Sequence, residues 1–143
     1  MSQREAALNA LQAVLETLSG PVVQPRNTAE PTEVSPAGWV ILRDGDPGEP
    51  TMVFSPATYC YEHQAEVEVW VQGATAAVRD AALDAILEQL PPLLTADPTL
   101  GGAVDYTELR EPELDHERAP GTADLKVARV PVILSYDTTS PLT

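Results

Sequence analysis

Residues 59–89 read YCYEHQAEVEVWVQG and then ATAAVRDAALDAILEQ, and the pattern changes between the two halves. In the first half every second residue belongs to one face, which consists of Tyr59, Tyr61, His63, Ala65, Val67, Val69 and Val71. This period of two predicts a strand over Tyr59–Gln72 with one buried face. After Gly73 the apolar residues recur at helical spacing, with Leu83, Ile86, Leu87 and Leu90 opposite Asp80, Asp84 and Glu88. We therefore expect an amphipathic helix that ends near Gln89.

A second helix is predicted at the start of the chain. The sequence Ser2-Gln3-Arg4-Glu5 is a capping box, in which the side chains of Ser2 and Glu5 each bond to the backbone amide of the other residue. An apolar stripe follows, made of Leu8, Leu11, Val14, Leu15 and Leu18. Gly20 and Pro21 end such a stripe, so the helix is expected over Gln3–Ser19.

The remaining segments predict further strands around the long one. We expect strands at Val22–Gln24, Trp39–Arg43, Thr51–Phe54, Ala103–Leu109 and Leu125–Tyr136. The second and third of these would form a meander with Tyr59–Gln72, and Pro131 would cause a bulge in the last. Residues 25–38 are expected to be a stiff, proline-rich loop and residues 110–124 an acidic loop. The predicted fold is one α+β domain, residues 1–143: an antiparallel or mixed sheet with two helices packed on one face.

The charge balance limits the possible partners. The chain has 22 acidic and 8 basic residues, a formal net charge of −14. Binding to nucleic-acid backbone or to anionic lipid requires clusters of Lys and Arg, so neither is expected. We expect no membrane span and no signal peptide, because no apolar run has the required length. The single cysteine, Cys60, cannot form an intrachain disulfide, which indicates a reducing compartment such as the cytoplasm.

No residue pattern indicates a reaction. Cys60 and His63 fall on opposite faces of the predicted strand, and His116 lies in the distant acidic loop. The acids at 108–117 lack the spacing of a calcium loop. We therefore expect no catalytic residue, no cofactor and no metal ligand, and predict that the chain is not an enzyme.

Three carboxylates on the long strand allow two interpretations. Glu62, Glu66 and Glu68 share the polar face of the long strand and form a row of roughly 20 Å. The row is either a solvent-facing sheet surface or a face turned toward a lumen or a neighbouring subunit. Trp70 lies on the same face, and an exposed tryptophan is typical of an interface, so we favour the second interpretation.

Three quoted segments carry a family resemblance: QPRNTAEPTEVSPAGWVILRDGDPGEP (24–50), YEHQAEVEVWVQG (61–73) and TLGGAVDY (99–106). With the alanine-rich helix, they resemble the tail terminator proteins of long-tailed phages, above all those of gene transfer agents. The resemblance implies a homo-hexameric ring that caps the tail tube, ends its polymerisation and contacts a head-side stopper or connector protein. DNA would pass through the opening without specific binding, and the protein would lie at the neck of the virion or gene-transfer-agent particle.

The resemblance concerns architecture and assigns no catalytic residue. The candidate subunit or partner interface comprises Arg26, Glu30, Pro31, Glu33, Trp39, Trp70, Glu111 and Glu113. The candidate lumen-facing residues are Glu62, Glu66 and Glu68. The loop 26–38 would reach a neighbouring subunit, and the loop 111–122 would order on contact with tube or stopper. Two alternatives stay open: another neck or tail-completion protein, and a small ligand-binding module.

Overall fold

The computed structural model describes residues 1–117 and 124–143. Its helices are α1 (Gln3–Leu15), α2 (Ala76–Leu87) and α3 (Leu90–Ala96), and a 3₁₀ turn follows at Leu100–Gly102. Its strands are β1 (Val22–Val23), β2 (Trp39–Asp46), β3 (Thr51–Val53), β4 (Thr58–Gln72), β5 (Tyr106–Leu109), β6 (Glu113–Glu117) and β7 (Leu125–Thr138).

All these strands belong to one mixed sheet whose order is β1-β2-β4-β7-β5. The pair β1–β2 is parallel, and the other pairs are antiparallel. The two long strands β4 and β7 lie side by side in the middle of the sheet. The α+β class, with helices packed on one face of a mixed sheet, is confirmed.

The predicted meander is wrong. Both β2 and β3 pair with β4, in succession along the edge that β7 leaves free, and not with each other. The turn residues at 47–50 therefore do not reverse the chain, because β2 and β3 run in the same direction and form one arm of a hairpin whose other arm is β4. The reversal comes later, between Val53 and Thr58.

The helices cover one face of the sheet and build the main core with it. That face carries the odd-numbered residues of β4, whose alternation was predicted, and the even-numbered residues of β7. From the helices, Leu8, Leu11 and Leu15 of α1 and Leu83 and Ile86 of α2 pack against this face. Each such side chain contributes about 1.5–3 kcal/mol on burial, so the apolar stripes of α1 and α2 determine how the helices dock.

The first helix begins as predicted and ends earlier. The amide of Glu5 donates to Ser2 Oγ at 3.2 Å, so half of the capping box forms. The other half does not, because the Glu5 carboxylate accepts from Arg26 at 2.8 Å. After Leu15 the chain tightens into bonds between residues three apart, which still leave Leu18 buried.

Pro131 causes no bulge between the central strands. The pairing of β4 with β7 runs in unbroken register from Tyr59–Thr138 to Gln72–Leu125. The carbonyl of Pro131 accepts from the amide of Arg110, so its backbone faces the other edge, where β5 has ended and β6 has not begun. The missing N–H of proline thus falls in a gap of the ladder.

The acidic segment after Arg110 is not entirely a loop. Residues 113–117 form β6, which pairs with β7 from Glu113–Arg129 to Glu117–Leu125. The loop prediction fails here because the free edge of β7 supplies backbone partners that outweigh the low strand propensity of the acids. Residues 118–123 of the predicted loop lie outside the described residues.

Candidate functional site

The face of the sheet opposite the helices, called here the open face, carries most of the sequence-derived candidates. Directly opposite residues in antiparallel strands share a face, so the even-numbered side chains of β4 define it. The register adds residues of β5, β6 and β7 to that face. Its accessible acids are Glu62, Glu66, Glu108, Glu113, Asp115 and Asp137.

One end of the open face is covered, which corrects the expectation for Trp70. The side chain of Trp70 is 1% exposed and packs in a second apolar cluster with Val34, Ile41, Leu125 and Val127. Residues 25–38 lie over this cluster, held in part by the bond from the Val34 amide to Gln72 Oε1 at 3.0 Å. The expectation that Trp70 is exposed at an interface is therefore wrong, because its side chain packs in the core of its own chain.

Glu68 is likewise not part of an exposed acidic row. It is 4% exposed, and its carboxylate accepts from Arg43 Nη2 at 3.0 Å and from Trp70 Nε1 at 3.1 Å. Arg129 Nε lies 3.6 Å from its other oxygen, and the Arg129 guanidinium also stands 5.8 Å from the Trp70 ring centre. Because Glu68 is buried and paired with two guanidinium groups, it does not line a lumen, so its lumen-facing assignment is wrong.

Glu62 and Glu66 keep the exposure that their assignment requires. Glu62 is exposed and accepts from the Tyr106 hydroxyl at 3.1 Å. Glu66 is half-buried, and burial together with the charge of Glu68 raises its pKa, while Arg129 opposes that change. These two carboxylates remain the candidates for a face turned toward a lumen.

The candidate interface residues of the proline-rich loop fall into two groups. Arg26 bonds within its own chain, to Glu5 at 2.8 Å and to Asp44 at 3.6 Å. Trp39 is half-buried beside the second cluster, and Pro31 is also half-buried. Glu30 and Glu33 are exposed, and Glu30 lies 3.6 Å from Arg129. The loop is thus tied to its own sheet, and among these candidate residues Glu30 and Glu33 are the exposed ones.

The two candidates in the acidic segment are both exposed. Glu111 precedes β6, and Glu113 opens it, directly across from Arg129. Asp115 lies 3.7 Å from Arg129, so that one cation sits among several acids of the open face. This arrangement was not predicted, although Glu68 and Arg129 both lie on the two long strands that the sequence predicts.

The histidines and the cysteine do not form a site. His63 is buried, with Nδ1 2.8 Å from the Tyr136 hydroxyl and Nε2 against the carbonyl of Asp44, so both ring nitrogens are occupied. A hydrogen bond with Asp137 raises the pKa of the Cys60 thiol, which disfavours the thiolate that a nucleophile needs. Among residues 1–117 and 124–143, no group of three His, Cys, Asp or Glu side chains could hold a metal ion.

The buried imidazole predicts a pH effect on stability. Burial lowers the pKa of His63, and Arg4 adds to that effect while Asp44 opposes it. The unfolded chain therefore binds a proton near pH 6.5 that the folded chain does not, and stability falls as the pH drops below about 6.5. His116→Gln leaves one histidine, and its ring signals in NMR should keep the neutral form below that pH. A ring that titrates at about 6.5 in the folded protein would contradict this.

Comparison with known proteins assigns no family. No protein-family model matches the chain. No curated protein matches its sequence either. Of the helices in the described residues, none combines the length and the apolar character needed to cross a membrane.

Proposed function

We propose that this chain forms a hexameric ring that closes the end of a tail tube, stops its growth and joins it to a head-side stopper or connector protein. DNA passes through the opening, and the ring lies at the neck of a virion or gene-transfer-agent particle. The function is taken from the tail terminator proteins that the sequence resembles. The structural observation that supports it is the open face, which presents acids and over which no helix lies in the part of the chain that the structure describes.

Electrostatics make this surface suitable for the wall of a DNA passage. The accessible acids of the open face outnumber its two arginines, Arg43 and Arg129, which also pair with the buried Glu68, so the net charge of the face is negative. Phosphate is repelled from such a surface, where Arg43 and Arg129 are already paired with carboxylates. Six copies, each of net charge −14, would carry −84, and Glu62 and Glu66 are the side chains that we assign to the opening.

The proposal is tested by adding the purified chain to polymerising tail tube protein from the same kind of particle. We expect tube growth to stop and electron microscopy to show a six-fold ring at one end of each tube. An unrelated acidic protein of similar size serves as the control for charge effects. Tubes that lengthen at the same rate with the chain present would contradict the proposal. A reconstruction with Glu62 and Glu66 on the outside would contradict only the lumen assignment.

A further inference from the structure

The hairpin between β3 and β4 exposes an apolar tip, called here the hairpin tip, at Met52–Phe54. Phe54 is the only phenylalanine in the chain, and its side chain is 76% exposed. Met52 and Val53 beside it are 45% and 47% exposed. Three consecutive apolar residues in water at the end of an arm are costly to expose, and such patches are typical of contact surfaces.

A complementary concave surface lies at the opposite edge of the sheet, where α2 and α3 meet the junction of β5 and β6. This edge groove has a volume of about 180 Å³. Its apolar lining consists of Leu87, Leu90, Pro91, Leu109, Pro112 and Val130. A cavity of about 150 Å³ with an aliphatic lining accommodates benzene, so the groove has the size for one aromatic ring.

Charge complementarity favours a second copy of this chain as the occupant. Among the residues that the structure describes, Arg110 is the one exposed basic residue, and it lies on the rim of the edge groove. Its ion pair with Glu108 at 3.3 Å joins two half-exposed side chains and leaves it free to exchange partners. The segment that leads into the hairpin tip carries two exposed acids, Asp46 and Glu49. An arginine beside the groove also favours an aromatic occupant through cation–π attraction.

We propose that the hairpin tip of one copy inserts Phe54 into the edge groove of the next. The tip and the groove lie on opposite edges of one sheet, so a chain cannot fill its own groove with its own tip. A contact between two different surfaces of identical chains is heterologous, and it closes into a ring when the rotation per step allows. The inference rests on the proposed function, because it names the contact that joins the six subunits.

The test uses one variant for each side of the contact. Phe54→Asp places a charge on the hairpin tip. The double variant Pro91→Asp with Arg110→Glu places acids in the edge groove. An Asp at position 91 lies in the first turn of α3, where the helix dipole favours a negative charge. Each is expected to weaken self-association about 30-fold or more in sedimentation velocity, as for loss of one hot-spot aromatic. Mixed together, the two variants retain one intact tip and one intact groove, so they should stop at a 1:1 dimer. Val78→Asp, at a residue 54% exposed in α2, is the matched control and should assemble like the wild type.

The outcomes separate this contact from the ring itself. If wild type forms six-fold rings, alone or on tube ends, and Phe54→Asp forms them equally well, the ring stands and the contact is wrong. If only the groove variant fails to cap tubes, the groove binds the tube protein, which also overturns the contact. Wild type that neither associates nor caps would overturn the proposed function together with this inference.

Discussion

Gly45→Ala is expected to lower the free energy of unfolding by about 3 kcal/mol or more. Gly45 has a φ of +68° at the register shift between Arg43 and Asp46, where β2 bulges against β4. A Cβ there would lie 2.0 Å from the backbone oxygen of Gln64. Because β4 is paired on both edges, that oxygen cannot move aside, so overpacking adds about 1–3 kcal/mol to a left-handed backbone cost of about 1–2 kcal/mol.

Gly48→Ala is the matched control for this prediction. Gly48 has nearly the same φ, +70°, and an added Cβ would meet nothing within 4 Å. We expect only the conformational cost, about 1–2 kcal/mol, measured by urea unfolding monitored by tryptophan fluorescence. Equal losses for the two variants would show that β2 yields at the bulge and that the close approach to Gln64 has no energetic weight.

Glu68→Ala should be the most damaging loss of a charge, about 3 kcal/mol. The substitution leaves Arg43 and Arg129 without the carboxylate between them, and it leaves the buried indole N–H of Trp70 without its acceptor. An unpaired buried donor costs about 1–3 kcal/mol by itself. Glu68→Gln keeps an acceptor for Trp70 and should lose less. Chemical unfolding of both variants measures the difference.

Glu62→Ala provides the contrast for Glu68 on the same face of the same strand. Glu62 is exposed and has one hydrogen bond, from Tyr106, so its loss should change stability by at most about 0.5 kcal/mol. If Glu68→Ala were as mild as Glu62→Ala, the two arginines would be stable beside each other without it.

The central strand and both main helices could be predicted from the sequence because each repeats its own signal many times. The alternation in β4 recurs over the whole strand. In α1, the Ser2 N-cap marks the start of the helix, and the apolar stripe that begins at Leu8 marks its buried face. These local signals agree with the packing that the structure shows. The α+β class follows from them, since a sheet with one apolar face and two amphipathic helices have few other ways to bury those faces.

The errors at Trp70, Glu68 and β6 involve contacts that no local pattern contains. Trp70 and Glu68 occupy polar-face positions, and they are buried because residues 25–38 fold back over them, which periodicity in β4 cannot reveal. The strand β6 is acidic and reads as a loop, yet the free edge of β7 pairs with it. The edge groove is formed by helices and strands distant in sequence, and only Phe54 could have drawn attention to one half of the proposed contact.

The unbroken ladder between β4 and β7 has a consequence for biosynthesis. During translation β4 leaves the ribosome long before β7, the last strand, so one side of the longest strand stays bare while the intervening segments are made. Bare strands on neighbouring nascent chains tend to join and aggregate. The carboxylates at alternate positions of β4 repel one another across such a pairing, so the same acids act as gatekeepers until the final strand arrives.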